Sequence, residues 1–483
     1  MVVFLQADCP ANHSAMEGGL DKLRQLAEVF AQHSKKLYFV GGSVRDMLLG
    51  RSSLDYDCAT DALPEETKHL ARLVHPDGMY TVGEKFGTVG LILGDCKVEI
   101  TTFRAEQYNP ESRKPEVTFG TSLEDDLARR DFTINAIAQD ALTGAIIDPF
   151  GGRRDLAAKL VRAVGNPQER FEEDPLRMLR GVRLCVELGF SLDHATAEAI
   201  RRSVTSLRRI SKERIAEEMN RILLSPQPAR GLRMLADLGL LDEIVPEVAA
   251  LRGTLNAIGR HKDVFEHTLL VVQRTPPEKA LRWAALLHDI AKPRTIVYED
   301  GEIHFPGHEV IGEPMARAVL SRLRFDSQTI EKVGRLVGMH MRINQYSEDW
   351  TDGAVRRLVR EAGDDLPDLF ALSRADITSQ RPSRVRAALS RIDELDHRVA
   401  ELEKQASIAA LKSPLDGNEL MAIFQRPPGP WIKPIKEYLL SLVLEGSLAP
   451  DDKARAEELA REFVARHENQ LGQDHPPTSS PGP

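Results

Sequence analysis

Phe39-Val40-Gly41-Gly42-Ser43-Val44-Arg45-Asp46, followed at Leu54 by Leu54-Asp55-Tyr56-Asp57, decides what kind of fold this chain adopts. The apolar run Leu37–Val40 reads as a strand that ends at the glycine pair, and Val44 to Leu49 reads as a short helix. A strand-to-helix turn of this kind offers backbone N–H groups and a helix N-terminus to a triphosphate. Gly41, Gly42, Ser43 and Arg45 are therefore the first candidate nucleotide-binding residues. Asp55 and Asp57 are two apart, and on a strand alternate side chains share a face. Two carboxylates on one face repel each other unless a cation lies between them, and Mg²⁺ is the ion that triphosphate chemistry uses. Asp55 and Asp57 are the candidate catalytic residues and Mg²⁺ ligands. Glu99 lies on a second β-like run, Lys97–Phe103, facing opposite to Val98 and Ile100. It is a candidate third ligand, and equally reads as a charge on the solvent face of a strand.

Outward from this stretch, the chain mixes strand and helix signals up to residue 150. Leu20, Leu23, Leu26, Val29 and Phe30 have helical spacing, Leu54–Ala59 and Thr88–Leu93 are β-like, and Asp61-Ala-Leu-Pro64 opens a helix. Asp148-Pro-Phe-Gly-Gly152 is turn chemistry and marks a seam. Beyond it the pattern is almost wholly helical. The expected architecture is α+β: a head with a small mixed sheet over 17–150, a helical neck over 151–250, a histidine-bearing helical domain over 261–400, a helical tail over 413–467 and a disordered end over 468–483.

Composition bounds the function. The 483 residues are 42% hydrophobic and 28% charged, ordinary for a globular protein, with only 5% aromatic residues. That scarcity argues against a single-strand binder built on exposed rings. Net charge is −9, against wholesale nucleic-acid binding, but arginines crowd locally at 177, 180, 183, 201, 202, 208, 209 and 214. The four cysteines form no Cys-x-x-Cys pair, which fits a reducing compartment. No leading signal segment and no membrane-length apolar run are evident, so a cytoplasmic protein without membrane contact is expected.

An Asp-x-Asp or a Gly-Gly alone is common. Their order and spacing here, with Arg129-Arg130-Asp131-Phe132-Thr133-Ile134-Asn135-Ala136, Glu173-Asp174-Pro175-Leu176-Arg177 and Ser211-Lys-Glu213-Arg214-Ile-Ala-Glu217 following, resemble the signature of the class II tRNA nucleotidyltransferase and bacterial poly(A) polymerase family. The resemblance covers roughly residues 37–224. It implies tRNA as partner, CTP and ATP as substrates, ribose or triphosphate contacts from Arg130, Asp131 and Asn135, and base selection by Asp174 and Arg177. A helix over 171–183 would align Asp174, Arg177 and Arg180 on one side, presenting an acceptor beside guanidinium forks, with Arg183 one step further. The ordinary alternative is an exposed Glu173–Arg177 ion pair. Two features lean toward complete CCA addition over poly(A) or partial addition: Val82-Gly83-Glu84-Lys85-Phe86-Gly87-Thr88-Val89, and the long polar segment Arg104 to Val117, which resembles a loop used in switching from C to A.

A second constellation runs His267, His288-Asp289, His308, His340, Asp376. Imidazoles with carboxylates suit a divalent ion such as Mn, Ni, Fe or Mg. The order resembles the HD phosphohydrolase superfamily, which implies a metal on His267, His288, Asp289 and Asp376, with His308 and His340 for a second metal. A rival of another class is a metal phosphohydrolase whose head only binds nucleotide.

Overall fold

The computed structural model describes residues 13–80, 87–107, 116–119, 122–255, 263–300, 302–379, 381–405, 408 and 411–471. The chain divides into two units, residues 1–249 and 250–483.

The first unit is built on a seven-stranded mixed sheet. Its strands are β1 (Leu37–Val40), β2 (Asp55–Thr60), β3 (Gly78–Tyr80), β4 (Thr88–Leu93) and β5 (Cys96–Thr102), then, after the separate β6 (Arg104–Gln107) and β7 (Glu116–Phe119) pair, β8 (Ala138–Asp140) and β9 (Ile146–Ile147). The spatial order is β3-β4-β5-β2-β1-β8-β9. Only β2 and β5 pair in parallel; the other neighbours are antiparallel. The sequence pattern explains the layers. β1 is buried along its whole length because its alternate residues serve two cores: Leu37 and Phe39 pack on one face, Tyr38 and Val40 on the other. The first face is covered by the helix His13–Gln32 through Leu23, Leu26 and Phe30, each fully buried and worth roughly 1.5–3 kcal/mol. On β5, Val98 and Ile100 join that core, and the alternation leaves Lys97 and Glu99 on the open face.

The seam expected at 148–152 is a capped turn. Asp148 accepts from the N–H groups of Gly152 and Arg153, and Gly151 takes φ +72°. One core cluster runs across it, joining Leu37 and Phe39 to Leu156, Val161, Leu184 and Phe190. Past it come the helices Pro167–Glu173, Leu176–Leu188, His194–Ser203, Lys212–Leu224 and Pro228–Asp237. The single helix expected over 171–183 is broken in two. Asp174 takes extended backbone (φ −138°, ψ 99°), because Pro175 lacks an N–H and excludes the helical conformation from the residue before it. The segment Arg104 to Val117 is likewise not all loop, since β6 and β7 pair at its two ends; its residues 108–115, and Val82 to Phe86, lie outside the described residues.

The second unit is helical, with one small hairpin (Val297–Glu299 with Glu302–His304) that the helical pattern did not announce. Its principal helices are Val264–Arg274, Lys279–Leu287, His308–Arg322, Ser327–Asn344, Asp352–Ala362, Leu366–Asp376 and Pro382–Gln405. The tail helices Gly417–Phe424, Ile432–Leu444 and Lys453–Leu471 enclose their own core of Leu420, Ile435, Leu439, Ala456 and Ala460. The last of them continues to Leu471, past the expected start of disorder at 468; residues 472–483 lie outside the described residues. Among the described residues no helix is long and apolar enough to cross a membrane, and Cys58, Cys96 and Cys185 are free and buried.

Two substitutions test the packing of the first unit. A Cβ on Gly152 would stand 2.2 Å from the Thr133 carbonyl oxygen and 2.7 Å from Ile137. Gly152→Ala is therefore expected to cost about 1–3 kcal/mol by forced overpacking, read as a lower midpoint in denaturant. Arg183 is buried, with Nε 2.6 Å from Glu218 and Nη1 2.8 Å from Glu187. Arg183→Ala strands the buried Glu218 charge and is expected to cost about 3–5 kcal/mol in the same measurement.

Candidate active site

In the first unit, β2 lays Asp55 and Asp57 on one sheet face. The parallel register sets Lys97 opposite Asp55 and Glu99 opposite Asp57, so four charged side chains share that face. Asp57 is open to solvent but closely surrounded. That crowding raises its pKa; Arg130 opposes the rise, and Glu99 and Asp55 add to it. Asp57 therefore feels both neighbouring acids, the condition a divalent cation relieves. Glu99 is half-buried and held by Lys97 Nζ at 2.9 Å and the Tyr80 hydroxyl at 3.3 Å. The three acids do not by themselves form one close ligand cluster.

Gly41 is required here twice over. It takes φ +74°, and a Cβ on it would lie 2.9 Å from Arg130 Nη1 and 3.5 Å from Asp57 Oδ2. The glycine turn, an arginine fork and a catalytic candidate thus meet within a few ångströms. Arg130 donates from Nη2 to the buried Asp126 at 3.1 Å, and its Nε is buried with no hydrogen-bond partner. Ser43 Oγ closes the turn onto the Val40 carbonyl at 2.9 Å.

From this turn a chain of polar contacts reaches the helical part of the unit. Arg45 donates to Asp46 (3.0 and 2.9 Å) and to Asn135 Oδ1 (2.8 Å). Asn135 Nδ2 donates to Asp131 Oδ1 at 3.0 Å, the Phe132 N–H donates to the same oxygen at 2.8 Å, and Arg180 pairs with Asp131 Oδ2 at 3.0 Å. Burial alone would raise the Asp131 pKa, but Arg180, Asn135 and the Phe132 N–H outweigh it and hold the carboxyl below its usual range. Arg45, Asn135, Asp131 and Arg180 are brought together as one connected network.

The candidate base selectors are placed differently from expectation. Arg177 is buried, its fork held by Glu173 Oε2 (2.8 Å) and the Arg129 carbonyl (2.8 Å). Asp174, outside the helix, pairs with Arg214 Nη2 at 3.0 Å and receives the Leu176 N–H at 3.1 Å. Asp174 and Arg177 are not paired with each other here. The Glu173–Arg177 pair exists, but it is buried, not the exposed pair of the ordinary alternative. Arg183 is occupied by Glu218 and Glu187. Sequence reasoning had placed Arg214 in a basic strip and in the Ser211–Glu217 motif without a partner, and had given Lys97, Tyr80 and Asp126 no role. The one available signal was Lys97, two residues before Glu99 on the same strand face.

In the second unit all six candidate residues meet. They form two groups whose ligand atoms lie within 4.8 Å of one another: His267, His288 and Asp376, and Asp289, His308 and His340. Asp289 spans both, with Oδ2 3.2 Å from His288 Nε2 and 3.5 Å from His267 Nε2, and Oδ1 3.4 Å from His308 Nε2. His267 Nε2 is 2.9 Å from Asp376 Oδ1. The Nδ1 atoms of His288, His308 and His340 contact the carbonyls of Ala285, Phe305 and Val337 at 2.8, 2.8 and 2.7 Å. A carbonyl only accepts, so each Nδ1 carries a proton and each ring turns its Nε2 inward. Those of His308 and His340 face each other at 3.2 Å, and burial and then His288 push His340 down to about 4, so it stays neutral. Nε2 atoms converging on one point beside a carboxylate are a ready set of donors for a cation. The donor set fits a divalent ion. Lys292, 2.7 Å from Asp289, Asn344, 3.1 Å from Asp376, and Thr378, 2.8 Å from His267, surround the groups and carried no motif signal.

Comparison with known proteins agrees with this geometry. Residues 37–162 match the poly A polymerase head domain, 189–251 a probable RNA and SrmB-binding site of polymerase A, and 256–380 the HD domain. The A-adding tRNA nucleotidyltransferase of Deinococcus radiodurans is 33% identical over 86% of this chain and 93% of its own length. A CCA-adding enzyme of Geobacillus sp. (strain WCH70) is 32% identical over 94% of this chain and all of its own. The crystal structure of the Bacillus stearothermophilus CCA-adding enzyme in complex with CTP aligns with 95% of this chain and 100% of its own at a TM-score of 0.66 and 29% identity. With a glycine turn beside two same-face aspartates and relatives matched from end to end, the chain belongs to the tRNA nucleotidyltransferase and poly(A) polymerase family and is a nucleotidyltransferase.

Proposed function

We propose that the enzyme adds CCA to tRNA 3′ ends, using CTP and ATP and no nucleic-acid template. The observation that carries this reading is the meeting of Gly41, Arg130 and Asp57 at one point, with Asp55 and Glu99 on the same sheet face. In this reading Asp55 and Asp57 hold Mg²⁺, with Glu99 as a third acid. When bound, the ion supplies charge neutralisation at the triphosphate and lowers the pKa of the attacking RNA hydroxyl. Gly41, Gly42 and Ser43 form the backbone cradle, and Arg45 braces it through Asn135. Arg130, whose Nη1 stands beside the Gly41 turn, contacts the triphosphate or ribose.

Base reading falls to Asp174 and Arg177, with Arg180 beside them. Each is already paired, Asp174 to Arg214 and Arg177 to Glu173. A base that satisfies both groups exchanges one set of charge-assisted bonds for another, whereas a base that satisfies only one strands the other. Arg183 supports this helix through Glu218 and Glu187. A second reading, addition of A alone, is favoured by the likeness to the D. radiodurans enzyme.

The test is tRNA lacking its 3′ terminal residues, given CTP, ATP or both. Complete CCA ends only with both nucleotides are expected. A product stopped at CC, A added only to CC-ended tRNA, or long A tails would each overturn the assignment. Asp55→Ala and Asp57→Ala are each expected to lower extension by about 10²–10³-fold, as loss of a charge-stabilising catalytic group does. Extension that survives either change would leave the head as a binding module.

The second unit, by the same reasoning, is a divalent-metal phosphohydrolase acting on phosphoesters or 2′,3′-cyclic phosphates at RNA ends, with Mn, Ni, Fe or Mg as the metal. Its support is the inward-facing Nε2 set astride Asp289. Asp289→Ala is expected to lose metal from the purified protein, measured by elemental analysis, and to lose hydrolysis of cyclic nucleotides under added Ni²⁺ or Mn²⁺. Undiminished metal content in that variant would remove the hydrolase reading.

A further inference from the structure

Across four strands of the first unit, one row of the open sheet face reads Tyr80, Gly90, Glu99, Asp57. The registers fix this: Tyr80 pairs with Gly90, Gly90 with Glu99, and Glu99 with Asp57. The row beside it places Lys97 against Asp55. Gly90 leaves its place in the row empty, and the Tyr80 ring fills it. A Cβ on Gly90 would sit 2.2 Å from the ring's Cε2 and Cζ. Lying over the glycine, Tyr80 directs its hydroxyl to Glu99 Oε1 at 3.3 Å. Lys97 Nζ reaches the same oxygen at 2.9 Å and stands 5.6 Å from the centre of the Tyr80 ring. Glu99 is thus held from two sides, on the strand next to the aspartates but committed elsewhere.

We propose that Lys97 and Tyr80, seated on Gly90, form a clamp that holds Glu99 away from the aspartate pair and so sets the metal concentration at which Glu99 joins Asp55 and Asp57 as a third ligand. The proposal rests on the reading that those aspartates carry the ion. An ammonium and a phenol hydroxyl are suited to the task. Their hold on a half-exposed carboxylate is weak enough for a divalent ion to displace, yet it biases the carboxylate while the ion is absent. Lys97 and Tyr80 are positioning residues, acting on the metal only through Glu99.

The experiment measures Mn²⁺ binding to the full-length protein with CTP present, by electron paramagnetic resonance, alongside the Mg²⁺ concentration for half-maximal nucleotide addition. The head's share of bound Mn²⁺ is the part lost in the Asp55→Ala, Asp57→Ala double variant. Lys97→Met is expected to tighten that share and to lower half-saturating Mg²⁺ by about two- to fivefold, the worth of one exposed ion pair. Tyr80→Phe, which changes no charge, shifts both in the same direction by less. In a Glu99→Gln background both shifts vanish. Should Lys97→Met act equally in that background, it works through its field on the aspartates and the clamp is wrong. No shift in either single variant rejects it as well. If instead the aspartate double variant retains all of the Mn²⁺, the metal reading of the head fails on its own, separately from the clamp.

Discussion

The repulsion among Asp55, Asp57 and Glu99 is the constraint around which the first unit is arranged. Three carboxylates on two adjacent parallel strands destabilise the sheet that carries them unless positive charge is supplied. The fold supplies it from every side: Lys97 from β5, Arg130 from the segment before β8, and a backbone turn at Gly41 that can approach because it has no side chain. Each of these is a nucleotide-handling feature under the proposed function and also a folding device. The sheet is tied together elsewhere, by β1, whose two faces feed separate cores. That rigidity allows β2 to hold two acids in place on its exposed end.

The second unit meets a related problem with different chemistry. Its carboxylates are buried, so lysine and arginine at arm's length would not suffice. Asp289 instead lies among four imidazoles and Lys292. Backbone carbonyls take the Nδ1 proton of three rings, which turns each Nε2 inward. The orientation of a histidine there is thus decided three residues back along its own chain, at Ala285, Phe305 and Val337. These partners are backbone atoms, and no side-chain motif records them.

That difference explains what the sequence disclosed and what it concealed. Alternation made the strands legible: β1 and β4 have the bounds their apolar runs mark, and Glu99 emerges on the open face because Val98 and Ile100 are apolar. The order of the histidines and aspartates was legible as a metal set, although its division into two groups spanned by Asp289 was not. The helix over 171–183 was misread because periodicity was weighed without Pro175, whose missing N–H ends one helix at Glu173 and frees Asp174 to reach Arg214. Cross-strand partners such as Tyr80 and Gly90 were invisible, since a register between strands ten residues apart is not written in either strand alone.

The break at Asp174 also bears on how a fixed protein surface can serve two bases. An acid locked in mid-helix would keep one direction, set by its rotamer and the helix axis. Asp174 lies in extended backbone between two helices, held by a partly exposed arginine forty residues away, while Arg177, in the second of those helices and paired to Glu173 at the end of the first, is buried and fixed. One half of the candidate reading pair is thereby anchored, and the other is held by one exposed arginine and one backbone N–H. Such an asymmetry lets the acceptor move while the donor fork stays where it is. Under the proposed function, an acceptor that can shift beside a fixed donor fork suits two bases whose hydrogen-bonding edges differ.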